Sequence, residues 1–248
     1  MTKTILVTGG SRGIGRAVAV LAGKRGWKVA ITYISNQKAA DETVAAVAAA
    51  GGKGLAIQAD AAKLEDVARA FDATEKAFGK VDGFVNNAGI ATPIGKLADK
   101  DPAEIARLVE INVLGALYGA REAARRMSKS RGGKGGAIVN MSSAAARLGM
   151  PNEGVDYAAS KGSMDTLTYG LSKELAPEGI RVNAIRPGLI ATDIHAAMGA
   201  PDRAERMGRT VPLGREGTAD EVAEATVWLL SDESSYVAGA VLDVTGGR

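Results

Sequence analysis

Two residues of the sequence, Tyr157 and Lys161, are spaced so that they could move a proton to or from a substrate. They stand four positions apart, and this spacing places two side chains on the same face of a helix. A phenol has an unperturbed pKa of about 10, and a nearby ammonium group lowers the pKa of that phenol. The pair therefore predicts a general acid/base. Because the spacing is common on amphipathic helices, this prediction depends on the motifs upstream.

A glycine-rich turn near the start of the sequence predicts a site for the pyrophosphate of a dinucleotide. The run Thr8–Gly15 (TGGSRGIG) follows an apolar strand and opens a helical pattern, and its spacing is a variant of the dinucleotide-binding fingerprint. Gly9 permits a sharp turn, Gly13 lets the backbone approach the pyrophosphate, and Gly15 lets the helix pack closely on the strand. The N–H groups at the helix N-terminus then face the phosphates.

The end of the second predicted strand favours NADP(H) over NAD(H). NAD-binding proteins commonly place Asp or Glu there to hold the ribose 2′-hydroxyl, whereas this chain has Tyr33. Arg12 puts a cation beside the helix N-terminus, where it is unfavourable unless an anion such as a 2′-phosphate is bound. Ser35 and Asn36 carry further hydrogen-bond donors. NAD(H) stays open as the alternative cofactor.

Strands and helices alternate along the whole chain. The predicted strands are Thr4–Thr8, Lys28–Tyr33, Gly54–Asp60, Gly83–Asn86, Ala137–Ser142, Ile180–Ile185 and Val241–Val244. The predicted helices are Gly13–Arg25, Gln37–Ala50, Leu64–Phe78, Pro102–Ser128, Val155–Ala176 and Thr218–Leu230. Strands such as Thr4–Thr8 are apolar on both faces, as parallel strands covered by helices must be. The alternation predicts an α/β fold with a doubly wound, parallel, seven-stranded sheet in a three-layer αβα sandwich.

The composition narrows the class of protein. The chain has 248 residues, of which 46% are apolar, and these values predict one domain over residues 1–248. The sequence has no cysteine and one histidine, His195, so no metal site is predicted. The net charge is only +3, and the basic cluster Arg125–Lys134 is interpreted as a solvated helix end, with no nucleic-acid partner. No signal peptide or membrane-spanning run is seen, which predicts a cytoplasmic protein.

The motifs together resemble the short-chain dehydrogenase/reductase family over almost the whole chain. The matching positions are Thr8–Gly15, Asp60, Asn86–Gly89, Asn112, Asn140–Ser143, Tyr157, Lys161, Arg186–Gly188 and Thr192. The joint match is specific, although each motif alone is not. The resemblance implies a Rossmann-type fold and an oxidoreductase that interconverts a carbonyl and a secondary alcohol by hydride transfer.

The resemblance implies four catalytic side chains. Tyr157 would exchange a proton with the substrate oxygen, while Lys161 would lower the pKa of that phenol and hold the nicotinamide ribose. A serine hydroxyl would donate to the substrate carbonyl. Ser143 keeps the family's usual spacing and is preferred, with Ser142 as the alternative. Asn112 would help to hold a water that links Lys161 to solvent.

The resemblance also implies the cofactor contacts. Asp60 would lie near the adenine, Pro187 and Gly188 near the nicotinamide face, and the Ile190 backbone and Thr192 at the carboxamide. The full predicted set is Gly9, Ser11, Arg12, Gly13, Ile14, Gly15, Tyr33, Ser35, Asn36, Asp60, Ala61, Asn87, Ala88, Gly89, Tyr157, Lys161, Pro187, Gly188, Ile190 and Thr192.

Residues 191–211 include two methionines and two glycines, and they predict a substrate lid. His195, in this segment, is expected at the surface or at the edge of the substrate, without a catalytic role. A small carbonyl or alcohol is the favoured substrate, because Glu178 would repel an acidic carrier protein. The basic cluster Arg125–Lys134 favours the alternative, a 3-oxoacyl-[acyl-carrier-protein] reductase. Sugar and polyol substrates, as in glucose dehydrogenase-like members, also stay open.

Two further expectations concern assembly and activity. The family commonly forms homotetramers, here through Pro102–Ser128, Val155–Ala176 and Val241–Val244, and a dimer is the alternative. A rival to the enzyme hypothesis is a non-catalytic, NADP-sensing protein on the same fold. Such a sensor would be free to lose Tyr157, Lys161 or Ser143, and this chain keeps all three.

Overall fold

A computed structural model describes residues 2–248 and contains one parallel sheet of seven strands. The strands are β1 (Thr4–Val7), β2 (Lys28–Tyr33), β3 (Lys53–Gln58), β4 (Gly83–Asn86), β5 (Gly136–Met141), β6 (Ile180–Pro187) and β7 (Val241–Val244). Their order across the sheet is β3-β2-β1-β4-β5-β6-β7. The chain therefore winds outward from β1 in both directions, and the predicted doubly wound parallel sheet is confirmed.

Helices cover both faces of the sheet. They are α1 (Gly13–Lys24), α2 (Gln37–Ala49), α3 (Leu64–Phe78), α4 (Pro102–Val109), α5 (Ala116–Met127), α6 (Ala145–Leu148), α7 (Val155–Leu175), α8 (Ile194–Ala197), α9 (Arg203–Gly208) and α10 (Ala219–Leu230). Side chains of β1 alternate between two cores. Ile5 and Val7 pack with α1, α2 and α10, whereas Leu6 packs with α3, α5 and α7. These are the three layers of an αβα sandwich.

One segment predicted as a single continuous helix is interrupted in the structure. The segment expected as a single helix over Pro102–Ser128 is divided into α4 and α5 by a π-helical turn at Glu110–Gly115. The wider turn lies where the helix passes the loop after β3. A Cβ atom at Gly115 would stand 2.8 Å from the carbonyl oxygen of Ala61. The turn contains Asn112, so the irregularity falls on a predicted site residue, as π turns often do.

The predicted lid segment, residues 191–211, contains the two short helices α8 and α9. Several contacts tie it to the rest of the molecule, among them one hydrogen bond and one ion pair. The Ile94 N–H donates to the carbonyl oxygen of Met198 at 3.1 Å, and Arg203 forms an ion pair with Glu153. Over residues 2–248, no helix combines the length and apolar character that crossing a membrane requires.

Candidate active site

A cavity of about 340 Å³ opens at the carboxyl ends of the central strands. This is the edge where open α/β sheets bind their ligands. Every predicted cofactor residue lines the cavity except Ser35 and Asn36. Those two are exposed beyond its rim, and the side-chain oxygen of Asn36 accepts the Ala39 N–H at 3.0 Å, which caps α2. Asn36 therefore has only its amide N–H groups free for a ligand.

The glycine-rich turn after β1 forms a tight backbone cradle. Gly9 has a φ of 65°, a conformation that favours glycine. Asn87 fixes this turn, because its side-chain amide donates to the carbonyl oxygens of Thr8 at 2.8 Å and Gly9 at 3.1 Å. A Cβ atom at Gly15 would stand 2.5 Å from the Gly9 oxygen and 2.6 Å from the Asn87 amide nitrogen. The cradle fits the pyrophosphate of a dinucleotide, which needs backbone to approach closely at a helix N-terminus.

At the adenosine end of the cavity, the end of β2 lacks the acidic residue that NAD-binding proteins commonly have there. Tyr33 closes that strand and is buried in the core. Arg12 lies at the N-cap of α1 with its side chain exposed, and no residue within 2–248 pairs with its guanidinium group. Asp60 is already paired, because Arg107 donates to its carboxylate at 3.0 Å. Arg12 is thus the free cation at the predicted adenosine end.

Tyr157 and Ser143 face each other across the inner end of the cavity. Burial raises the pKa of the Tyr157 phenol, and the neighbouring Ser143 hydroxyl opposes that rise. Ser142 points elsewhere, because its hydroxyl is buried and donates to the carbonyl oxygen of Lys161 at 3.0 Å. The structure therefore brings Ser143, and not the Ser142 hydroxyl, up to the phenol.

Lys161 lies beneath the phenol, one helical turn along α7. Its ammonium nitrogen is 5.7 Å from the centre of the Tyr157 ring and donates to the carbonyl oxygen of Met141 at 2.8 Å. Burial lowers the pKa of Lys161 to about 8, although the charge of Asp165 opposes the shift. The spacing of Tyr157 and Lys161 predicts that the pKa of the phenol is lowered. In the structure, the loss of contact with water on burial is the largest effect on the phenol and raises its pKa instead.

Asn112 lies behind the cavity wall. Its side-chain oxygen accepts the Ile90 N–H at 2.8 Å, and its amide donates to the Ile90 carbonyl at 2.9 Å and to the Ser160 hydroxyl at 3.0 Å. Ser160 in turn donates to the carbonyl oxygen of Tyr157 at 2.7 Å. The Asn112 side chain therefore ties the cavity wall at Ile90 to the helix that carries Tyr157.

Two residues of the segment 191–211, His195 and Arg203, line the cavity. The sequence predicts no role for Arg203. His195 is only 6% exposed and lines the cavity, with a ring nitrogen 3.1 Å from the carbonyl oxygen of Ile190. Of the two expected positions, the surface is wrong, and a position at the edge of the substrate cavity agrees with the structure. Burial lowers its pKa and favours the neutral ring. Arg203 also lines the cavity and is buried. Both lie on α8 and α9, whose sequence gives no clear periodicity.

Comparison with known proteins identifies the family. A family model described as enoyl-(acyl carrier protein) reductase matches residues 9–248. The chain is also 49% identical over 243 residues to the uncharacterized oxidoreductase YgfF of Escherichia coli (strain K12), with 98% of each protein covered. The chain belongs to the short-chain dehydrogenase/reductase family. The resemblance predicted from the motifs is confirmed.

This short-chain dehydrogenase/reductase has relatives with more specific names. It is 42% identical over 248 residues to 3beta-hydroxysteroid dehydrogenase 1 of Eggerthella lenta, covering 99% of this chain and 93% of that protein. It matches the structure of 3-ketoacyl-(acyl-carrier-protein) reductase from Brucella melitensis complexed with NADH. That match has a TM-score of 0.90 and 33% identity, and it covers 99% of this chain and 98% of the other. The chain is therefore an oxidoreductase of a family that binds a nicotinamide cofactor.

Proposed function

We propose that this short-chain dehydrogenase/reductase is an NADP(H)-dependent enzyme that interconverts a carbonyl and a secondary alcohol. The observation that carries the proposal is the meeting of Ser143, Tyr157 and Lys161 at the inner end of the cavity that also contains the glycine-rich cradle. The nicotinamide, when bound, supplies or accepts the hydride. The protein residues then have to orient the substrate oxygen and move one proton.

Each side chain has a distinct task in carbonyl reduction. The Ser143 hydroxyl donates to the substrate oxygen and stabilises the negative charge that develops there. A phenol is ordinarily neutral at physiological pH, and burial raises the pKa of Tyr157 further, so this phenol is ready to give the substrate oxygen a proton. The Lys161 ammonium favours the phenolate that remains. Asn112 holds the wall at Ile90 and the start of α7 in place for the same step.

The preference for NADP(H) is part of the proposal. A 2′-phosphate is doubly charged, and a guanidinium group is well suited to bind it. Arg12 offers such a group on the cradle, and the position after β2 holds Tyr33 instead of an acid that would repel the phosphate. NAD(H) is the alternative cofactor, and the Brucella melitensis reductase was solved with NADH.

A small carbonyl or alcohol with an apolar body is the substrate that the cavity wall fits best. The apolar side chains that line it around the inner end are Ile90, Ala91, Ala145, Leu148, Met150, Ile194, Ala197 and Met198. A polyol would leave hydroxyl groups without partners against such a wall. The name 3beta-hydroxysteroid dehydrogenase 1 of the Eggerthella lenta relative also points to an apolar alcohol.

A 3-oxoacyl-[acyl-carrier-protein] substrate is the second candidate. The family model and the Brucella melitensis structure both carry names of acyl-carrier-protein reductases. Against it, the acid predicted to repel the carrier is held in place at the surface, since Ser130 donates to the Glu178 carboxylate through both its N–H and its hydroxyl. A panel of alicyclic ketones, aldoses and a 3-oxoacyl carrier protein, followed through NADPH absorbance, separates the candidates.

Tyr157→Phe tests the reaction. Removing the proton donor is expected to lower kcat about 10²- to 10⁴-fold, the usual range for general acid catalysis. The affinity for NADPH, measured by fluorescence titration, should change little. Tyr169→Phe is the matched control, because Tyr169 lies on the same helix, is exposed and does not line the cavity.

Two results would contradict the assignment. Turnover of Tyr157→Phe at the rate of the parent protein would show that another group moves the proton. NADPH binding without turnover of any member of the panel would favour the NADP-sensing protein. A catalytic Tyr157 predicts instead that the two tyrosine variants differ sharply in kcat while both bind NADPH.

Arg12→Ala tests the choice of cofactor. Losing a charged hydrogen-bonding partner of the 2′-phosphate should weaken NADPH binding about 10-fold or more. NADH binding should change less than about twofold, since NADH lacks that phosphate. Arg16→Ala is the control, because Arg16 is an exposed arginine on the same helix outside the cavity. Equal losses of affinity for NADPH and NADH would mean that Arg12 does not bind the 2′-phosphate.

A further inference from the structure

We propose that Lys100 and Asp156 are positioning residues that hold Tyr157 against the substrate-side wall of the cavity. This inference rests on the proposed function. Neither residue lines the cavity, and neither belongs to the catalytic set proposed above. They form, with Thr92, a buried polar cluster at the start of α7, and Asp156 directly precedes Tyr157 in the chain.

The cluster is closely bonded and has little access to water. The Thr92 hydroxyl donates to one oxygen of Asp156 at 2.7 Å and accepts the Lys100 ammonium group at 2.7 Å. Lys100 also donates to the carbonyl oxygen of Pro93 and stands 3.6 Å from the second oxygen of Asp156. The side chains of Lys100 and Asp156 are only 3% and 2% exposed. The second carboxylate oxygen has no hydrogen bond within the described chain. The Lys100 ammonium group is therefore the main group that offsets its negative charge.

The cluster gives the start of α7 a second attachment to the segment beside it. Ile90 and Ala91 form part of the cavity wall, and the segment from Ile90 to Thr92 is anchored at both ends. Asn112 holds Ile90 through two hydrogen bonds, and Asp156 holds Thr92. Because Asn112 also bonds Ser160 on α7, this segment and the helix meet once on each side of Tyr157.

Stability alone is a weak reason for such a cluster. Desolvating a lysine and an aspartate is costly, and well-packed apolar residues of similar volume are often equally or more stabilising. A buried ion pair with fixed hydrogen bonds does specify geometry, and hydride and proton transfer are sensitive to displacements of about 1 Å. The position of the pair beside Tyr157 therefore fits a role in aligning the phenol.

Lys100→Met is the principal test. It leaves Asp156 buried without its cation, so the start of α7 should shift away from Thr92. We expect kcat to fall at least about 10-fold, with the affinity for NADPH within about twofold of the parent protein. The double variant Lys100→Met/Asp156→Asn removes both charges and keeps an oxygen to accept from Thr92. It should regain a large part of the lost kcat.

Lys3→Met is the control for losing a lysine ion pair elsewhere. Lys3 pairs with Asp232 at 2.7 Å, far from the cavity, and its loss should leave kcat unchanged. If Lys100→Met does not fold, Asp156→Asn alone replaces it, with the same expected loss of kcat. An unchanged kcat in the folded cluster variants, or no recovery in the double variant, would overturn the inference.

Hydrogen exchange separates this inference from the proposed function, because it needs no substrate. In Lys100→Met the amides of residues 90–95 and 155–158 should exchange faster, while those of α10 keep their rates. Faster exchange in those two segments supports the coupling of wall and helix even if no substrate is turned over, an outcome that would count against the proposed function alone. Unchanged exchange would overturn the inference whatever the activity.

Discussion

Burial acts on Tyr157 and Lys161 in the same direction, toward their neutral forms. The pKa of the phenol rises, and the pKa of the ammonium group falls to about 8. The hydroxyl of Ser143 counters the rise at the phenol, and the charge of Asp165 counters the fall at the lysine. At neutral pH the site therefore holds a protonated phenol, which is the form that carbonyl reduction consumes.

The two neighbouring serines allow a matched comparison. Ser143→Ala should lower kcat about 10²- to 10³-fold, the usual loss when one donor to a developing oxyanion is removed. Ser142→Ala should leave kcat within a few-fold. It should instead lower the melting temperature, because the carbonyl of Lys161 loses a buried hydrogen bond. Steady-state kinetics and thermal unfolding of both variants test this, and a larger kinetic loss for Ser142→Ala would reverse the roles.

The sequence predicted the cavity-lining residues well where each motif follows a strand. Parallel strands end at one edge of the sheet, so motifs after β1, β4, β5 and β6 must meet there. The buried pair Lys100 and Asp156 could not be predicted, because isolated charged residues normally lie at the surface. The sequence also left His195 between the surface and the edge of the substrate, since its burial depends on how α8 packs over the cavity.

At the scale of elements, the turn between β1 and α1 is where packing and cofactor binding coincide. Gly15→Ala would push a methyl group to within 2.6 Å of the Gly9 carbonyl and the Asn87 amide, so α1 must move away from β1. We expect NADPH affinity to fall at least about 10-fold, roughly the effect of one lost charged contact, together with a lower melting temperature. Fluorescence titration and thermal unfolding measure the two effects.

Gly95→Ala is the matched glycine control. It lies in a loop, and a Cβ atom there would meet only the Lys100 side chain, at the ordinary distance of 3.9 Å. NADPH affinity and melting temperature should stay close to those of the parent protein. If Gly15→Ala behaves in the same way, the close approach of α1 to β1 does not matter for the cofactor.

The division of the helix predicted over Pro102–Ser128 shows what local sequence cannot specify. The segment has an unbroken helical pattern, and no proline follows its first position. The π turn instead depends on Gly115 packing against the backbone of Ala61, which is 54 positions away along the chain. Long-range contacts of this kind override local propensity, so the helix was predicted correctly and its irregular turn was not.

At the scale of the whole molecule, apolar side chains remain exposed on the elements through which the family commonly forms tetramers. Leu117 on α5 is 43% exposed, Tyr169 on α7 is 47% exposed, and Leu242 on β7 is 38% exposed. Large exposed apolar side chains grouped on a surface indicate an interface. We therefore propose a homotetramer built through these elements.

Leu117→Glu tests this assembly by placing a charge in the proposed interface, where it would be buried without a partner. Size-exclusion chromatography with light scattering should give a tetramer for the parent protein and a smaller species for the variant. Leu97→Glu is the control, because Leu97 is 50% exposed and lies on none of these three elements. A monomeric parent protein, or equal masses for the parent and Leu117→Glu, would contradict the proposal.

The central place of β1 in the sheet has a consequence for synthesis. This strand is synthesised before both of its partners, since it pairs with β2 on one edge and with β4 on the other. The Thr4 N–H donates to the carboxylate of Asp82, 78 positions later. Parallel neighbours cannot close through a hairpin, so the backbone N–H and C=O groups along one edge of β1 stay without their strand partner until the chain through Asn86 has emerged. During that interval, aggregation competes with folding.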